Sequence, residues 1–520
     1  MKSNHWGHRG KALFYTILVL ALLSCNLLEA LTPQEDTAPA GPSTSFVPEG
    51  GAPPAPMLTG EDITCSYYVS PGGDDGAPGS ESQPWGSIQF AVDSAQPGDT
   101  VCFRDGSYRM EAEVTITGSG TPAAPIIFIA YPGERPIFDG GGNVSELFVF
   151  SQHASYIRFS GFTLQNFSVW GIELSGENRY GYFDHLEIMG GEAAFHFTYG
   201  ESSESPPAEG PVEHITLEDS LIHGSLYSAV DCTPGPCNDM IFRRLEVYGA
   251  GLEGEDSYGS DGIAVTSGYP VLVEDCYVHD NGGDGIDLNS RDREGHAVGV
   301  VVRRNRVIRN HLNGIKLWAG GRIENNIVWG QGNSPVWSGT FHSTLEVINN
   351  TIAYNMWDPA FGERNWSFVA GYPEELPSPQ VDLLFVNNLV AFNTGPGVGD
   401  PTGLYLGSGV KLTEHHNLYF SSVDSEITAE FLDMDITRQD LENGSWAGRT
   451  GQGQNDLVLD PLFTSGWPQV DLHFQPGSPA VDAGDDQVCP AEDALGRPRP
   501  VDGDSDGNAV CDIGAIELQE

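Results

Sequence analysis

Four ionisable residues occupy matching places in three short, related segments of the chain. Asp261, Asp284 and Asn313 each come immediately before a Gly-Ile pair, and Asp287 and Lys316 follow the second and third of these pairs. Three carboxylates held close together repel one another, which raises the pKa of at least one of them unless a divalent cation binds between them. The segments therefore predict a cation site beside a lysine.

Lysine is rare in this chain, which makes Lys316 a candidate base. Beyond residue 25 the sequence has only Lys316 and Lys411, and arginine supplies nearly every other positive charge. A primary amine, unlike a guanidinium, loses its proton when burial or a neighbouring cation lowers its pKa. A cation that binds a uronate carboxylate acidifies the α proton, so such a base predicts β-elimination with departure of the glycosidic oxygen at C4. The alternative is that Lys316 only pairs with Asp287 across neighbouring strands.

A repeating unit accounts for the spacing of these residues. Each unit has alternating apolar residues, an Asn or Asp, more alternation, a polar turn and a pair such as Gly-Ile, and Gly262 to Gly285 is 23 residues while Gly285 to Gly314 is 29. Short strands with Asn at the bends are typical of a coil with three strands per turn, in which the Asn residues stack from turn to turn. We therefore predict an all-β right-handed parallel β-helix over residues 61–476.

Aligning the units on the Gly-Ile pair predicts one column of outward side chains. If the Ile side chains point into the coil, alternation turns the next residue outward, and successive turns stack these residues about 4.8 Å apart. The column contains Glu173, Asp231, Ala264, Asp287 and Lys316, with His196 as a looser fit. Alternation leaves the direction of the side chains before each Gly open, because they lie where a turn passes into a strand.

The segment from Ser87 to Gln96 interrupts the repeat. It is amphipathic and Pro97 ends it, so it predicts a helix that caps the open N-terminal end of the coil. The motifs around it are Tyr67-Tyr68-Val69-Ser70-Pro71, Pro84-Trp85, Ala91-Val92, Gln96-Pro97-Gly98-Asp99-Thr100-Val101 and Ala130-Tyr131-Pro132-Gly133-Glu134. Together they resemble the opening of secreted right-handed β-helix proteins, which include polysaccharide lyases acting on pectate, alginate and chondroitin.

Three motifs narrow this resemblance. They are Ser260-Asp261-Gly262-Ile263, Gly283-Asp284-Gly285-Ile286-Asp287-Leu288, and Asn313-Gly314-Ile315-Lys316-Leu317 followed by Gly320-Gly321. In this order they resemble the active-site turns of family 9 polysaccharide lyases, which are calcium-dependent pectate lyases. The resemblance implies that Asp261, Asp284 and Asp287 bind Ca²⁺, that Lys316 is the catalytic base, and that the substrate is a pectate-like acidic polysaccharide.

One position departs from the family pattern. Gly283 stands where the family usually has a second Asp, so Asp280, Glu255 or Asp256 would have to supply the missing oxygen. Two loop arginines, Arg291 and Arg293, are further candidates, because they follow the Asp287 strand and suit substrate carboxylates.

The sequence allows two roles for the aromatic residues near the site, and two for a pair of histidines. The tryptophans Trp318, Trp329, Trp337, Trp357 and Trp366 either form platforms for sugar rings or pack inserted loops against the coil. His415 and His416 precede a repeat Asn, which favours a bend over a metal site.

The C-terminal residues 477–520 resemble a terminal module of bacterial surface β-helix proteins. Within them Asp502, Asp504 and Asp506 alternate along the chain, a spacing that lets three carboxylates meet one hard cation. The distal Glu of an EF-hand loop is absent, so a second calcium site and an unliganded acidic turn remain alternatives.

The first 25 residues have the charged, apolar and small-residue order of an export signal. Leu22-Leu23-Ser24-Cys25 resembles a lipobox, which implies a lipidated Cys25; the alternative is a signal followed by an incidental cysteine. Residues 26–60, rich in Pro, Ala and Ser, predict a flexible tether. We expect an exported protein that is lipid-anchored at the bacterial cell surface or outer membrane, or secreted.

An oxidising compartment permits disulfides. The economical local pairs are Cys65 with Cys102, Cys232 with Cys237, and Cys489 with Cys511, which leaves Cys276 as a buried strand residue.

The charge of the chain limits its partners. Asp and Glu number 72 against 24 Lys and Arg, a formal net charge of −48, which excludes a general binder of nucleic acid or of anionic membranes. We expect a monomer whose only membrane contact is the lipid anchor and whose partner is an acidic polysaccharide held by a local cation. The alternatives are a non-catalytic surface β-helix that binds glycan or another cell, and a glycoside hydrolase using a pair from Glu173, Asp231 and Asp287.

Overall fold

The computed structural model describes residues 63–198, 210–233, 235–252, 260–290, 299–339, 341–355, 366–372, 380–393, 403–420, 429–431, 434–466 and 468–519. These residues confirm the predicted right-handed parallel β-helix with three strands per turn. The predicted signal, Cys25 and the tether lie outside the described residues, as do Arg291, Arg293, Glu255, Asp256 and Trp357.

Three parallel sheets run along the coil, and their strands are numbered in chain order. The first sheet consists of β1 (Tyr67–Val69), β2 (Thr100–Phe103), β5 (Ile126–Ala130), β7 (Ser155–Ser160), β9 (Arg179–Asp184), β12 (Val212–Glu218), β15 (Cys237–Arg243), β18 (Val271–Glu274), β21 (Val300–Arg303), β24 (Gly321–Glu324), β27 (Ser343–Ile348), β30 (Val381–Val386) and β33 (Val410–His415). The second consists of β3 (Ser107–Arg109), β6 (Ile137–Phe150), β8 (Thr163–Ser175), β10 (Glu187–Met189), β13 (Leu221–His223), β16 (Glu246–Tyr248), β19 (Tyr277–His279), β22 (Arg306–Ile308), β25 (Ile327–Trp329), β28 (Thr351–Ala353), β31 (Leu389–Ala391) and β34 (Leu418–Phe420).

The third sheet carries the predicted column. It consists of β4 (Val114–Ile116), the later parts of β6 and β8, β11 (Ala193–Thr198), β14 (Val230–Cys232), β17 (Ile263–Val265), β20 (Ile286–Leu288), β23 (Ile315–Leu317), β26 (Val336–Ser338), β29 (Phe368–Ala370), β32 (Leu404–Leu406) and β35 (Ala429–Phe431). A final strand, β36 (Met434–Ile436), pairs antiparallel with β35.

Asparagine side chains stack inside the coil, as the repeat predicts. Each Nδ2 donates to the Oδ1 of the next turn, at 3.0 Å from Asn305 to Asn326, 3.0 Å from Asn326 to Asn350 and 3.0 Å from Asn350 to Asn388. These residues are fully buried, so the stack satisfies polar groups that would otherwise be costly to remove from water. It fixes the register of successive turns, and with it the alignment of the outward column.

A helix closes the N-terminal end, as predicted. It is α1 (Ile88–Ser94), and the Ser87 hydroxyl caps it by accepting from the Phe90 N–H. Ile88, Ala91 and Val92 are buried against the core. The Gln89 side chain bonds to both backbone groups of Thr115 in β4, so the helix covers an edge that would otherwise invite strand pairing.

The C-terminal segment packs along the coil. After two short helices, α2 (Arg438–Glu442) and α3 (Ser445–Thr450), and the antiparallel pair β37 (Phe463–Ser465) and β38 (Asp471–Phe474), residues 477–519 have no further strands among the described residues. Buried residues of the segment, including Ala480 and Ile513, share one apolar cluster with Leu389 and Leu418 of the coil. The module boundary at residue 476 stays a prediction.

The three predicted disulfides are present: Cys65–Cys102, Cys232–Cys237 and Cys489–Cys511. Cys276 is a buried free thiol, as predicted, but it lies at the bend between β18 and β19 and not in a strand. Among the helices of the described residues, none has the length and apolar character needed to cross a membrane.

Candidate active site

The strand register confirms the column of outward side chains. Asp231 aligns with Ala264, Ala264 with Asp287, and Asp287 with Lys316. The preceding apolar residues, among them Ile286 and Ile315, are fully buried, whereas Asp287 and Lys316 are partly exposed. The outward face therefore carries a column of functional groups interrupted by Ala264, as alternation predicts, although it is more shielded than a freely solvated surface.

Lys316 lies between two carboxylates. Its Nζ is 3.2 Å from Oδ2 of Asp284 and 3.3 Å from Oδ2 of Asp287. The contact with Asp287 is the cross-strand ion pair that the sequence predicts as the alternative to a catalytic role for Lys316. The contact with Asp284 is additional, because strand pairing does not require a second acid at the amine. Because the Lys316 side chain is 19% exposed and that of Asp284 only 4%, the cluster lies mostly out of solvent.

Asp261, Asp284 and Asn313 form a stack of their own where each turn enters the third sheet. The Asp284 N–H donates to Oδ1 of Asp261 at 2.7 Å, and the Asn313 N–H donates to Oδ1 of Asp284 at 2.8 Å. The Asn313 amide Nδ2 also donates to Asp284 Oδ1, at 2.7 Å. These bonds set the side-chain directions that alternation left open, and they bring Asp284 against the amine of Lys316.

Burial and mutual repulsion dominate the electrostatics of the acids. Burial, with the charges of Asp284 and Asp287, raises the pKa of Asp261 well above its ordinary value. Burial also raises the pKa of Asp287, against the opposing effect of Lys316. A site that crowds carboxylates so closely favours a bound positive charge.

The pKa of Lys316 moves opposite to the sequence expectation. Burial alone lowers this pKa, as expected, but the charges of Asp287, Asp284 and Asp261 together outweigh burial and raise it above its ordinary value. The sequence indicates that the acids lie near Lys316, but it does not show whether burial or the acidic charges have the larger effect on its pKa. The short distances between the amine and the acids make the effect of the charges larger. Without another cation, Lys316 is an ammonium ion at neutral pH.

Gly283 is required by the close packing of this site. A Cβ at residue 283 would lie 2.5 Å from Oδ1 of Asp261 and 2.8 Å from the carbonyl carbon of Ser260. The Asp that the family usually has here therefore does not fit without movement of Asp261. Asp280 does not replace it, because its carboxylate is engaged by Arg309 and by His279.

Two of the tryptophans for which the sequence left sugar platform and loop packing as alternatives surround the Lys316 amine. The Trp318 indole Nε1 donates to Oδ1 of Asp287 at 2.6 Å, and Lys316 Nζ lies 4.6 Å from the Trp318 ring centroid. Trp337 aligns with Lys316 on the next strand, and its ring centroid is 5.6 Å from Nζ. Trp318 follows Lys316 by two residues, so strand alternation places both on the same face.

The two ends of the column differ in chemistry. Towards the N terminus Glu173 aligns with His196 and His196 with Asp231, and His196 Nδ1 lies 3.1 Å from Oδ2 of Asp231. His196, a loose fit in the sequence alignment, is thus fully in register. Towards the C terminus Tyr405 stands in the column. Trp366 and Tyr372 pack their rings near Tyr405, at centroid distances of 5.8 and 5.9 Å.

The acidic C-terminal loop gathers a different set of residues from the predicted one. Asp482, Asp502 and Asp504 have ligand atoms within 4.8 Å of one another, and Asp482 Oδ2 accepts from the Asp504 N–H. The Asp506 carboxylate instead accepts from the Asn508 backbone and amide nitrogens. Asp482 precedes the motif by 20 residues, so local spacing could not indicate it.

A second group with such close ligand atoms consists of His415, His416 and Asp485. His416 has a positive φ of 54°, which confirms the predicted bend. Among the described residues, Asp261, Asp284 and Asp287 do not form a group of this kind, and Lys316 Nζ lies between the last two.

Comparisons with known proteins agree with this architecture. Residues 67–205 match the family model for the Pel9A-like right-handed β-helix region, and residues 150–352 match that for the right-handed β-helix region. Pectate lyase PEL9 of Emericella nidulans is 26% identical over 345 residues, which cover 65% of this chain and 70% of that protein. The uncharacterized protein YwoF of Bacillus subtilis is 24% identical over 472 residues, which cover 79% of this chain and 91% of that protein.

A solved structure supports the fold independently. The crystal structure of pectate lyase Pel9A superimposes with a TM-score of 0.50 at 17% identity, over 88% of this chain and 98% of that one. The chain therefore has a β-helix fold of the polysaccharide lyase kind.

Proposed function

We propose that this protein is a calcium-dependent lyase that cleaves a uronate-containing polymer, such as polygalacturonate, by β-elimination, with Lys316 as the catalytic base. The observation that carries the proposal is the position of the Lys316 amine. The Lys316 side chain is partly exposed on the outward face of the coil, and its Nζ lies within 3.3 Å of two carboxylates from neighbouring turns. A lysine that only forms a structural ion pair on the surface of the coil needs one acid. A site that binds a cation beside a catalytic base needs several acids.

The relatives support the reaction class. The most informative is the fungal pectate lyase, whose 26% identity extends over 345 residues of this chain. Pectate is a polymer of uronate residues, and each residue carries the carboxylate that makes its α proton removable.

Ca²⁺ fits the donors of this site. Asp261, Asp284 and Asp287 would hold the ion, and all offer the carboxylate oxygens that a hard cation prefers. Two more oxygens support the fit, because Asn313 Oδ1 and Ser260 Oγ are buried beside these acids without a hydrogen-bond partner in the described part of the chain. When bound, calcium would supply positive charge that holds a substrate carboxylate, acidifies the proton α to it and offsets the charges that keep Lys316 protonated.

The residues of the chain then have separate tasks. Lys316 Nζ accepts the α proton as the C4–O bond breaks and a C4–C5 double bond forms, and the departing oxygen takes a proton from water. Trp318 positions Asp287 by its 2.6 Å hydrogen bond. The indole of Trp337, which is 8% exposed, excludes water from one side of the amine. Arg291 and Arg293, which lie outside the described residues, remain proposed contacts for further substrate carboxylates.

One assay separates this proposal from its alternatives. The purified protein is mixed with polygalacturonate and calcium, and both ultraviolet absorbance and new reducing ends are measured. The lyase gives absorbance from its new double bond, lost on chelation. Reducing ends without absorbance would instead indicate the glycoside hydrolase, with acids from Glu173, Asp231 and Asp287. Neither signal on polygalacturonate, alginate or other uronate polymers would contradict the proposal and favour the non-catalytic glycan-binding protein.

We also propose that the protein is exported and lipid-anchored through Cys25. The support is the order of the first 25 residues and the lipobox-like sequence before Cys25. Labelling of cells with a radioactive fatty acid should mark the protein, and Cys25→Ser should abolish the label. An unlabelled protein found in the medium would indicate secretion without an anchor.

A further inference from the structure

A column of left-handed residues runs along one corner of the coil, where the first sheet ends. Asn325, Asn349, Asn387 and His416 have φ values of 54°, 53°, 58° and 54°. They follow strand residues that align in sequence from β24 to β33, so each stands one turn from the next. Asparagine and histidine both adopt this conformation more often than most residues do.

The three asparagines of this column hold the C-terminal segment. Asn325 donates to the Glu492 carbonyl at 2.7 Å, and Asn349 donates to the Asp512 carbonyl at 2.9 Å. Asn387 both donates to the Asp485 carbonyl at 3.1 Å and accepts from the Asp485 N–H at 2.7 Å. The corner column is therefore the line along which the segment is fastened to the coil.

His416, the fourth residue of the column, also lies against the C-terminal segment, but there the contacting groups are two imidazoles and a carboxylate. His415 Nδ1 lies 2.8 Å from His416 Nδ1 and 3.7 Å from Oδ2 of Asp485. The three ligand atoms of this group all lie within 4.8 Å of one another. Asn387 holds the backbone of Asp485, and the Gln487 N–H donates to Oδ1 of its carboxylate, while Oδ2 is the oxygen that lies 3.7 Å from His415.

These separations suit a small divalent transition metal. With metal–nitrogen and metal–oxygen distances near 2.0–2.2 Å, tetrahedral coordination places its ligand atoms about 3.4 Å apart, a value between the two observed distances of 2.8 and 3.7 Å. The two imidazole nitrogens set this group apart from a calcium site, because calcium takes oxygen ligands, whereas zinc, copper and nickel bind imidazole and also accept a carboxylate. The net charge of −48 favours the approach of any cation.

The second ring nitrogen of His416 also has a neighbour that could orient the ring. The His416 Nε2 lies 2.7 Å from the side-chain amide nitrogen of Asn455. When Nδ1 binds a metal, Nε2 carries the proton, and rotation of the amide by half a turn presents its oxygen as the acceptor. Metal-binding histidines in proteins generally have such a partner, which fixes the orientation of the ring.

We propose that His415, His416 and Asp485 form a structural site for a zinc-like divalent cation that fastens the C-terminal segment to the coil. The site completes the row of contacts begun by Asn325, Asn349 and Asn387, and it is independent of the lyase function and of calcium.

The test is titration of the metal-stripped full-length protein with Zn²⁺ by calorimetry, in buffer containing excess calcium to occupy the acidic sites. Thermal unfolding is measured alongside. We expect one zinc per chain and a higher Tm in its presence. Asp485→Asn, which keeps the size of the side chain and both backbone contacts with Asn387, should weaken zinc binding more than about tenfold and remove the gain in Tm. His415→Ala should do the same.

The matched control is His473→Ala. His473 is an exposed histidine whose Nδ1 lies 2.6 Å from Oδ1 of Asp471, a His–Asp pair without a second imidazole. Its removal should leave zinc affinity and the gain in Tm unchanged. Equal zinc binding by the wild type and Asp485→Asn, or no stabilisation of the wild type by zinc, would overturn the proposal.

Discussion

Lys316 Nζ lies 3.3 Å from Oδ2 of Asp287, the residue aligned with it on the preceding strand of the third sheet. Taken alone, this contact is an ordinary cross-strand ion pair. Asp284, from the turn that enters the sheet, lies 3.2 Å from the same amine, so Lys316 is shared between two acids. Two acids and a lysine within one shielded cluster form an arrangement that a bound cation would reorganise.

Trp318 should matter for activity through Asp287. Trp318→Phe removes the indole donor to Asp287 Oδ1 but keeps a ring beside Lys316 Nζ. We expect kcat/KM on polygalacturonate to fall about tenfold, as for other groups that orient a ligand, with little change in Tm. The control is Trp329→Phe, at a ring that packs under Arg309 on the second sheet. Equal kinetics of Trp318→Phe and the wild type would rule out this role.

Gly283 should tolerate no side chain. In Gly283→Ala the new Cβ would approach Asp261 Oδ1 to 2.5 Å, so Asp261 must shift away from Asp284. Calcium affinity measured by calorimetry should drop, and activity with it, while the circular dichroism of the β-helix is retained. Gly448→Ala is the control, because a Cβ there has nothing within 4 Å. Unchanged calcium binding in Gly283→Ala would show that Asp261 is not a ligand.

The asparagine stack should contribute strongly to stability. Asn350 is fully buried, accepts from Asn326 and donates to Asn388, so Asn350→Ala leaves several buried groups without partners. We expect the free energy of unfolding, measured by chemical denaturation, to decrease by roughly 1–3 kcal/mol or more. Asn143→Ala, at an exposed residue bonded only locally to Gly141, should change it by less than about 0.5 kcal/mol. Similar losses in both variants would contradict the account of the stack.

The sequence predicted the parts of this molecule that depend on local periodicity. Alternation after the Gly-Ile pairs placed Asp287 and Lys316 on one outward column, and the strand register agrees. The Asn that recurs in each unit predicted the Asn stack, and the amphipathic segment that ends at Pro97 predicted the helix that begins after Ser87. Each of these features shows in the pattern of short stretches of chain, which is why a single sequence is enough to find them.

The remaining features depend on distances across turns or between distant segments. The raised pKa of Lys316 follows from how close three acids lie, which spacing does not give. Asp482 joins Asp502 from 20 residues away, and Asp485 meets His415 from 70 residues away. Only the docking of the C-terminal segment on the coil brings these groups together.

Stability should depend on pH through Asp512. This carboxyl is fully buried, and burial, with the charge of Glu517, raises its pKa to about 7. A raised folded-state pKa means that the group stabilises the fold when protonated, so its contribution is present below about pH 4 and is lost as the pH rises to about 7. The loss is about 4 kcal/mol at most. Unfolding measured between pH 4 and 7 should have this slope in the wild type and lack it in Asp512→Asn.

The control for that pH dependence is Asp460→Asn, at an exposed carboxyl. It should keep the slope of the wild type. A slope in Asp512→Asn equal to that of the wild type would assign the dependence to other groups.

The most direct test of the central claim compares two lysines in the ultraviolet assay with polygalacturonate and calcium. Lys316→Ala removes the amine that lies against Asp284 and Asp287, whereas Lys411→Ala removes an amine that is 84% exposed and 3.4 Å from Asp382. We predict that Lys316→Ala loses about 100- to 10,000-fold in kcat, as expected for loss of a general base, and that Lys411→Ala matches the wild type. A folded Lys316→Ala that forms the double bond at the rate of Lys411→Ala would show that Lys316 is not the base.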